Sequence, residues 1–229
     1  MALSLAAAQE QVGPQPKVVD PGPPPSDAIV LFGGKDLSEW VHKDQKPAQW
    51  IVQNEAMVCK SGSGDLYSRR KLGSAQIHLE FSEPLMPTAK GQARGNSGVY
   101  IQGRYEIQVL DSYRNPTYAD GSCGAVYGQH APLVNACRPP ETWQTYDIIF
   151  HAPHCEAGQV KQPATVTILH NGVLIQDNAV ILQPTGGGAP DNPCDPGRLM
   201  LQDHYHPDVK ETQLRFRNIW YRPLTETGH

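Results

Sequence analysis

The chain has 229 residues, a formal net charge of -4, 39% hydrophobic and 18% charged residues. That apolar share supports a real core and excludes a disordered chain, while the charge lacks the basic field that holds a phosphate backbone, so no nucleic-acid partner is expected. No uncharged apolar run approaches the ~20 residues that span a bilayer, so no integral membrane segment is expected. Glycine and proline, 21 each, predict frequent turns and disfavour long helices.

In chain order, Ala6, Ala7 and Ala8 fit the small-residue cleavage pattern of a secretory signal. Residues 9–26 follow with six prolines, which cannot form helix or sheet. The expectation is a signal-peptide remnant and Pro-rich tail over 1–26, one domain over 27–223 and a C-terminal tail over 224–229. A secreted or periplasmic location follows. Strand-like runs then recur: Ile29–Phe32, Trp50–Gln53, Ala56–Cys59, Ala75–Phe81, Gly98–Gln102, Tyr105–Leu110 and Tyr146–His151. Beyond them come Ala164–His170, Val173–Gln176, Arg198–Asp203 and Gln213–Tyr221. Ile77, Leu79 and Phe81 share one face, and Ile107 and Val109 oppose Glu106 and Gln108, a period of two that predicts half-buried antiparallel strands. Asn171-Gly172 between two such runs predicts a type I′ hairpin. Roughly eleven short strands without an amphipathic helix predict an all-β sandwich.

Two long segments interrupt the rhythm, and loops of this length are usually functional or disordered. Residues 112–142 carry Tyr113, Tyr118, Tyr127 and His130 and read as an ordered cover over a site. Residues 184–196, with a Gly-Gly-Gly run, read as a mobile surface loop. Of five cysteines, Cys59 sits in an apolar stretch and reads as a buried thiol, while Cys123, Cys137, Cys155 and Cys194 lie in loop sequence. Pairing Cys123 with Cys137 and Cys155 with Cys194 is expected, although sequence does not fix connectivity.

The densest polar constellation spans residues 94–111. Asn96, Tyr100 and Gln102, then Glu106 and Gln108, are expected on one sheet face beside the Tyr-rich loop, with Tyr127 and His130 as neighbours. Amide, phenol and carboxylate groups on one face suit hydroxyl-rich ligands, so a small carbohydrate is the expected partner. A second constellation brings Gln202 and His204, whose imidazole titrates near working pH. His204, His206 and Asp208 hint at a metal, but the spacing identifies no ligand set and none is assigned. No G-x-S-x-G, Walker A or Rossmann glycine pattern occurs, so no nucleotide cofactor is expected; a divalent ion stays open.

At these residues the chain resembles the 3-keto-disaccharide hydrolase family. The matching stretches are Leu31–Trp40 (LFGGKDLSEW), Gly95–Gln102 (GNSGVYIQ), Tyr105–Ser112 (YEIQVLDS), Gly124–Gly128 (GAVYG), Trp143–Asp147 (WQTYD), His170–Val173 (HNGV), Leu201–His204 (LQDH) and Phe216–Pro223 (FRNIWYRP). The resemblance implies a concanavalin-like jelly roll of two antiparallel sheets with a concave carbohydrate site. It also implies cleavage of glycosides already oxidised to a ketone at C3, with net hydrolysis or a lyase product. Such chemistry needs a base for the C2 proton, a donor for the enolate oxygen and an acid for the leaving group. Glu106 and His204 are the base and acid candidates, in either order, and Arg94 or Arg104 the enolate donor. Asn96, Tyr100, Gln102, Gln108, Tyr127, His130 and Gln202 are the expected sugar contacts. Two alternatives stand beside this reading. One is a glucanase, for which the sequence lacks an obvious carboxylate pair; the other is a non-catalytic sugar-binding module.

Overall fold

The computed structural model describes residues 17–189, 191–204 and 214–224. The expected signal remnant, His206, Asp208 and residues 225–229 lie outside the described residues. The described strands are, in chain order, β1 Ile29–Phe32, β2 Trp40–Val41, β3 Ile51–Gln53, β4 Ala56–Val58, β5 Leu66–Leu72, β6 Ala75–Ser82, β7 Asn96–Ile101 and β8 Tyr105–Leu110. They continue as β9 Gln144–His151, β10 His154–Glu156, β11 Gln159–Gln162, β12 Ala164–His170, β13 Val173–Ile181, β14 Gly197–Leu201 and β15 Arg215–Pro223. The described residues contain no helix long and apolar enough to cross a membrane.

All pairings are antiparallel and form two principal sheets, the jelly-roll arrangement expected. One runs β13-β12-β9-β6-β15-β4-β3, with β1 added to β15; the other runs β2-β5-β14-β7-β8. Alternation builds the core between them. Ile77, Leu79 and Phe81 of β6, Tyr146, Ile148 and Phe150 of β9, and Val166 and Ile168 of β12 point inward and are fully buried. Val99, Ile101, Ile107 and Val109 answer from β7 and β8, and Tyr105 meets Phe150 with ring centres 5.8 Å apart. The predicted hairpin closes β12 onto β13, with Asn171 at φ 52° and Gly172 at φ 80°.

What sets β7 and β8 apart is burial on both faces. Every residue of these strands is buried, polar ones included. Two loops cover the face turned from the core. In the first, Gly124 N donates to Gln108 O and Tyr127 N donates to Glu106 O, so residues 124–127 run along the free edge of β8. In the second, Thr185 N donates to Arg104 O and Ala189 N donates to Gly103 O. Thr185 and Ala189 are therefore pinned to the turn between β7 and β8, where the sequence reading expects a mobile surface loop. The loop's glycines permit close approach: a Cβ on Gly188 would stand 2.4 Å from Arg104 O.

Cys155 and Cys194 form the expected bridge, closing a sequence separation of 39 residues. Cys123 and Cys137, the second expected pair, are both thiols, as is the buried Cys59. A bridge over a loop of this size contributes about 2–4 kcal/mol, chiefly by restricting the unfolded chain. Reduction should lower the melting temperature by several degrees in differential scanning calorimetry. An unchanged midpoint would show that the anchor is energetically silent.

Candidate active site

Under the two loops lies a cavity of about 210 Å³ lined by Gln92, Asn96, Tyr100, Glu106, Gln108, Tyr127, Gly186, Gln202 and His204. Strand pairing assembles it. Gly98 pairs with Gln108 and Tyr100 with Glu106, so Asn96, Tyr100, Glu106 and Gln108 share the face away from the core. β14 pairs with β7 through Met200 and Tyr100, and Gln202 follows at its end.

Glu106 is the only carboxylate among the described lining residues. Its backbone N–H donates to Thr185 Oγ1 at 2.9 Å, tying the strand to the covering loop. Its Oε2 accepts the Tyr100 hydroxyl at 2.8 Å. Burial pushes the Glu106 carboxyl up to about 7, against a smaller downward pull from that hydrogen bond. The Tyr100 phenol is itself held far above its usual range, first by burial and then by the Glu106 charge. Gly186 O lies 3.1 Å from the same hydroxyl, and Gln202 Nε2 donates to it at 3.3 Å. Space is as tight as the bonding: a Cβ on Gly98 would stand 2.6 Å from Glu106 Oε1 and 2.7 Å from Tyr100 Cε2.

Amides fill the rest of the wall. Asn96 Nδ2 donates to Gln92 O at 3.0 Å, and Gln108 Nε2 donates to Gln92 Oε1 at 3.1 Å. Gln108 Oε1 and Gln202 Oε1 are buried acceptors without a protein partner among the described residues. Such acceptors suit ligand hydroxyl donors. At the rim Tyr127 and Tyr118 share a 2.5 Å hydrogen bond between their hydroxyls. Burial, then this bond, raises the Tyr118 phenol to about 12.

Seven residues expected from sequence meet at this cavity: Glu106, His204, Asn96, Tyr100, Gln108, Tyr127 and Gln202. Four expected ones do not line it. Arg94 is held by Asp111 at 3.1 Å and by the carbonyls of Ala89 and Tyr113. Arg104 is fully buried at the loop root, where it binds Asp191, Gln102 Oε1 and Asp195 O. Gln102 leaves the strand at φ 56°, so its side chain turns back to donate to Leu72 O at 3.1 Å. His130 Nε2 lies 2.7 Å from Val180 O on the outer surface. Conversely, Gln92 lines the cavity without a sequence signal of its own. It sits in the short 3₁₀ turn Gly91–Ala93, outside any alternating strand, where no periodic signal marks it.

The profile of the 3-keto-alpha-glucoside-1,2-lyase-like domain matches residues 27–222. The chain belongs to this family. A similar solved structure agrees with that. A protein of Parabacteroides distasonis ATCC 8503, named only provisionally as a glycosyl hydrolase, is 39% identical with a TM-score of 0.85, covering 97% of this chain and 100% of its own. A second such protein from the same organism is 19% identical with a TM-score of 0.63, covering 87% of this chain and 94% of its own; it speaks for the fold alone. A search of curated proteins finds no match. Within this 3-keto-alpha-glucoside-1,2-lyase-like domain, the covered face of β7 and β8 is where the Glu106 carboxyl, the Tyr100 phenol and the wall amides gather beside His204.

Proposed function

We propose that this protein is a carbohydrate-active enzyme that cleaves 3-keto-glycosides by C2 proton abstraction and β-elimination. The observation that carries the reading is the buried Glu106 carboxyl, raised to about 7, in a cavity otherwise walled by amides, phenols, Gly186 and His204. A base removing a proton α to a ketone works best with a pKa near ambient pH. The Tyr100 hydrogen bond favours the charged, base form of Glu106 in the resting site. Glu106 takes the C2 proton, and the electron pair delocalises onto the C3 oxygen as an enolate. Collapse of the enolate expels the C1 oxygen, which takes a proton from His204 and leaves a C1–C2 double bond conjugated to the ketone. Water then adds at C1 and a proton returns to C2, giving net hydrolysis; release before addition gives the lyase product.

With both arginines engaged elsewhere, the enolate donor falls to the side-chain amides of the wall. Gln202 is the candidate, because its Nε2 gives one hydrogen to the Tyr100 hydroxyl and carries a second, whereas both amide hydrogens of Asn96 and of Gln108 already have protein acceptors; the amide oxygens of Gln108 and Gln202 take sugar hydroxyls. A retaining glucanase needs two carboxyl groups about 5–5.5 Å apart. Asp111, the nearest in sequence, is paired with Arg94 instead.

The test compares a 3-keto-glucoside with its unoxidised parent. Turnover is expected only of the keto compound, with solvent deuterium entering C2 of the product. Deuterium at C2 of the substrate should slow the reaction where proton removal limits the rate. Cleavage of the parent, or turnover without exchange at C2, would discard the elimination route. Tight binding with no turnover would favour a sugar-binding module.

A further inference from the structure

The loop that brings Tyr118 and Tyr127 to the rim is fastened behind the cavity by a second polar cluster. His170 ends β12, is fully buried, and packs against Phe81 and Tyr146 with ring centres 5.8 and 5.0 Å away. Its neighbour Gln144 has a fixed amide orientation, because Nε2 donates to Glu83 Oε2 at 2.7 Å. Gln144 Oε1 then accepts from Arg138 N at 3.0 Å, from Asn171 Nδ2 at 3.2 Å, and faces His170 Nε2 at 2.9 Å. An oxygen can only accept, so His170 Nε2 carries the hydrogen and Nδ1 carries the lone pair. Nδ1 is buried and has no partner among the described residues.

Two thiols stand beside this ring. The sulfurs of Cys123 and Cys137 and a ring nitrogen of His170 all lie within 4.8 Å of one another. Zinc–sulfur bonds of about 2.3 Å and zinc–nitrogen bonds of about 2.0–2.1 Å set tetrahedral ligand atoms roughly 3.5–3.8 Å apart, so the set closes on an ion with shifts of about an ångström. We propose that Cys123, Cys137 and His170 bind one zinc ion, its fourth tetrahedral position taken by water, that pins the tyrosine-bearing loop to the end of β12. Binding forms two zinc–thiolate bonds and one bond to Nδ1, and the two thiol protons pass to solvent. Zn²⁺ with two thiolates is neutral, so no net charge is buried. A disulfide between the cysteines would leave the histidine lone pair unanswered, whereas the ion satisfies all three donors. Gln144 serves as the outer partner that orients a metal-bound imidazole. Glu83 Oε1, also buried and without a partner among the described residues, belongs to the same polar chain.

The position explains what the ion would do. Cys123 N donates to Ser112 Oγ at 3.0 Å, and the next residue begins the run along β8 that carries Tyr127. An anchor at Cys123 therefore fixes the loop where it starts to wall the cavity.

The test uses the full chain, purified without oxygen, reductant or chelator. Elemental analysis should give one zinc per chain, and thiol titration in denaturant with chelator should count the three thiols Cys59, Cys123 and Cys137. Replacing zinc by cobalt(II) should produce a thiolate-to-cobalt charge-transfer band. Cys123→Ser and Cys137→Ser should lose both zinc and band, and Cys59→Ser should keep both. Chelation should lower the melting temperature of the wild-type chain. The cobalt spectrum is read on wild-type protein, so poor folding of a variant does not block the test. A single thiol, meaning a Cys123–Cys137 disulfide, overturns the proposal. So does reduced wild-type protein that shows no cobalt band and retains no zinc.

Discussion

Glu106→Gln should lower turnover of a 3-keto-glucoside by about 10²–10⁴-fold, the usual contribution of a positioned general base. The amide keeps the shape of the carboxyl and still accepts the Tyr100 hydroxyl, so the cavity should hold its form. Binding should change far less than turnover, because Asn96, Gln108 and Gln202 remain on the wall. The pH profile gives an independent reading. With Glu106 as base, kcat/KM should rise with pH until the carboxyl is ionised, bending near its value of about 7. The variant should lose that bend along with the rate. His204→Ala should also slow the reaction, but leave the bend in place. If Glu106→Gln turns over at nearly the wild-type rate, the carboxyl merely orders the strand face and the proposed base is wrong.

Gly98→Ala should be nearly as damaging although it replaces none of the proposed reacting groups. The added methyl would fall 2.6 Å from Glu106 Oε1 and 2.7 Å from Tyr100 Cε2, so one of the two must move. Gly98 sits mid-strand, paired with Gln108, and the backbone has little freedom to yield. Overpacking of this kind costs about 1–3 kcal/mol, which a domain with so large a core should survive. Catalysis is less forgiving, since a displacement of about 1 Å can cost ~10²-fold. Combining Gly98→Ala with Glu106→Gln should be little worse than Glu106→Gln alone, because both act through one carboxyl. Additive losses in that double variant would place the effect of the methyl elsewhere.

How far the sequence foretells this arrangement depends on which forces set each residue. Strands with one apolar face, such as β6, β8 and β12, are legible because alternation is a local signal. β5 is not: Leu66–Leu72 holds Arg69, Arg70 and Lys71, which are exposed, and its apolar residues sit mainly at its ends. The face of β7 and β8 is legible in its composition and only half legible in its burial. Sequence reads residues 112–142 as one cover over it, but takes the second, which ties Thr185 to Glu106 across 79 residues, for a mobile surface loop. That cover also raises the Glu106 pKa. Arg104 shows the limit most clearly. Its position near the site is evident, but Asp191, 87 residues away, draws the guanidinium to the loop root instead. Gln102 is lost to a single left-handed backbone angle at a turn.

The Tyr100 hydroxyl has one hydrogen and two oxygens within reach, Glu106 Oε2 at 2.8 Å and Gly186 O at 3.1 Å. Rotation about the C–O bond is enough to exchange them. While Glu106 is a carboxylate the hydrogen points to it; once Glu106 has taken a proton the hydrogen can turn to the carbonyl. No heavy atom need move, because the loop carrying Gly186 is fastened at Thr185 and the Tyr100 ring is buried. In the proposed reaction the dipole of one O–H would thus follow the charge on Glu106, with water's larger rearrangement kept out of the reaction coordinate. Low reorganisation energy of this sort requires rigid surroundings, and here it depends on a glycine loop whose sequence reads as the least rigid part of the chain.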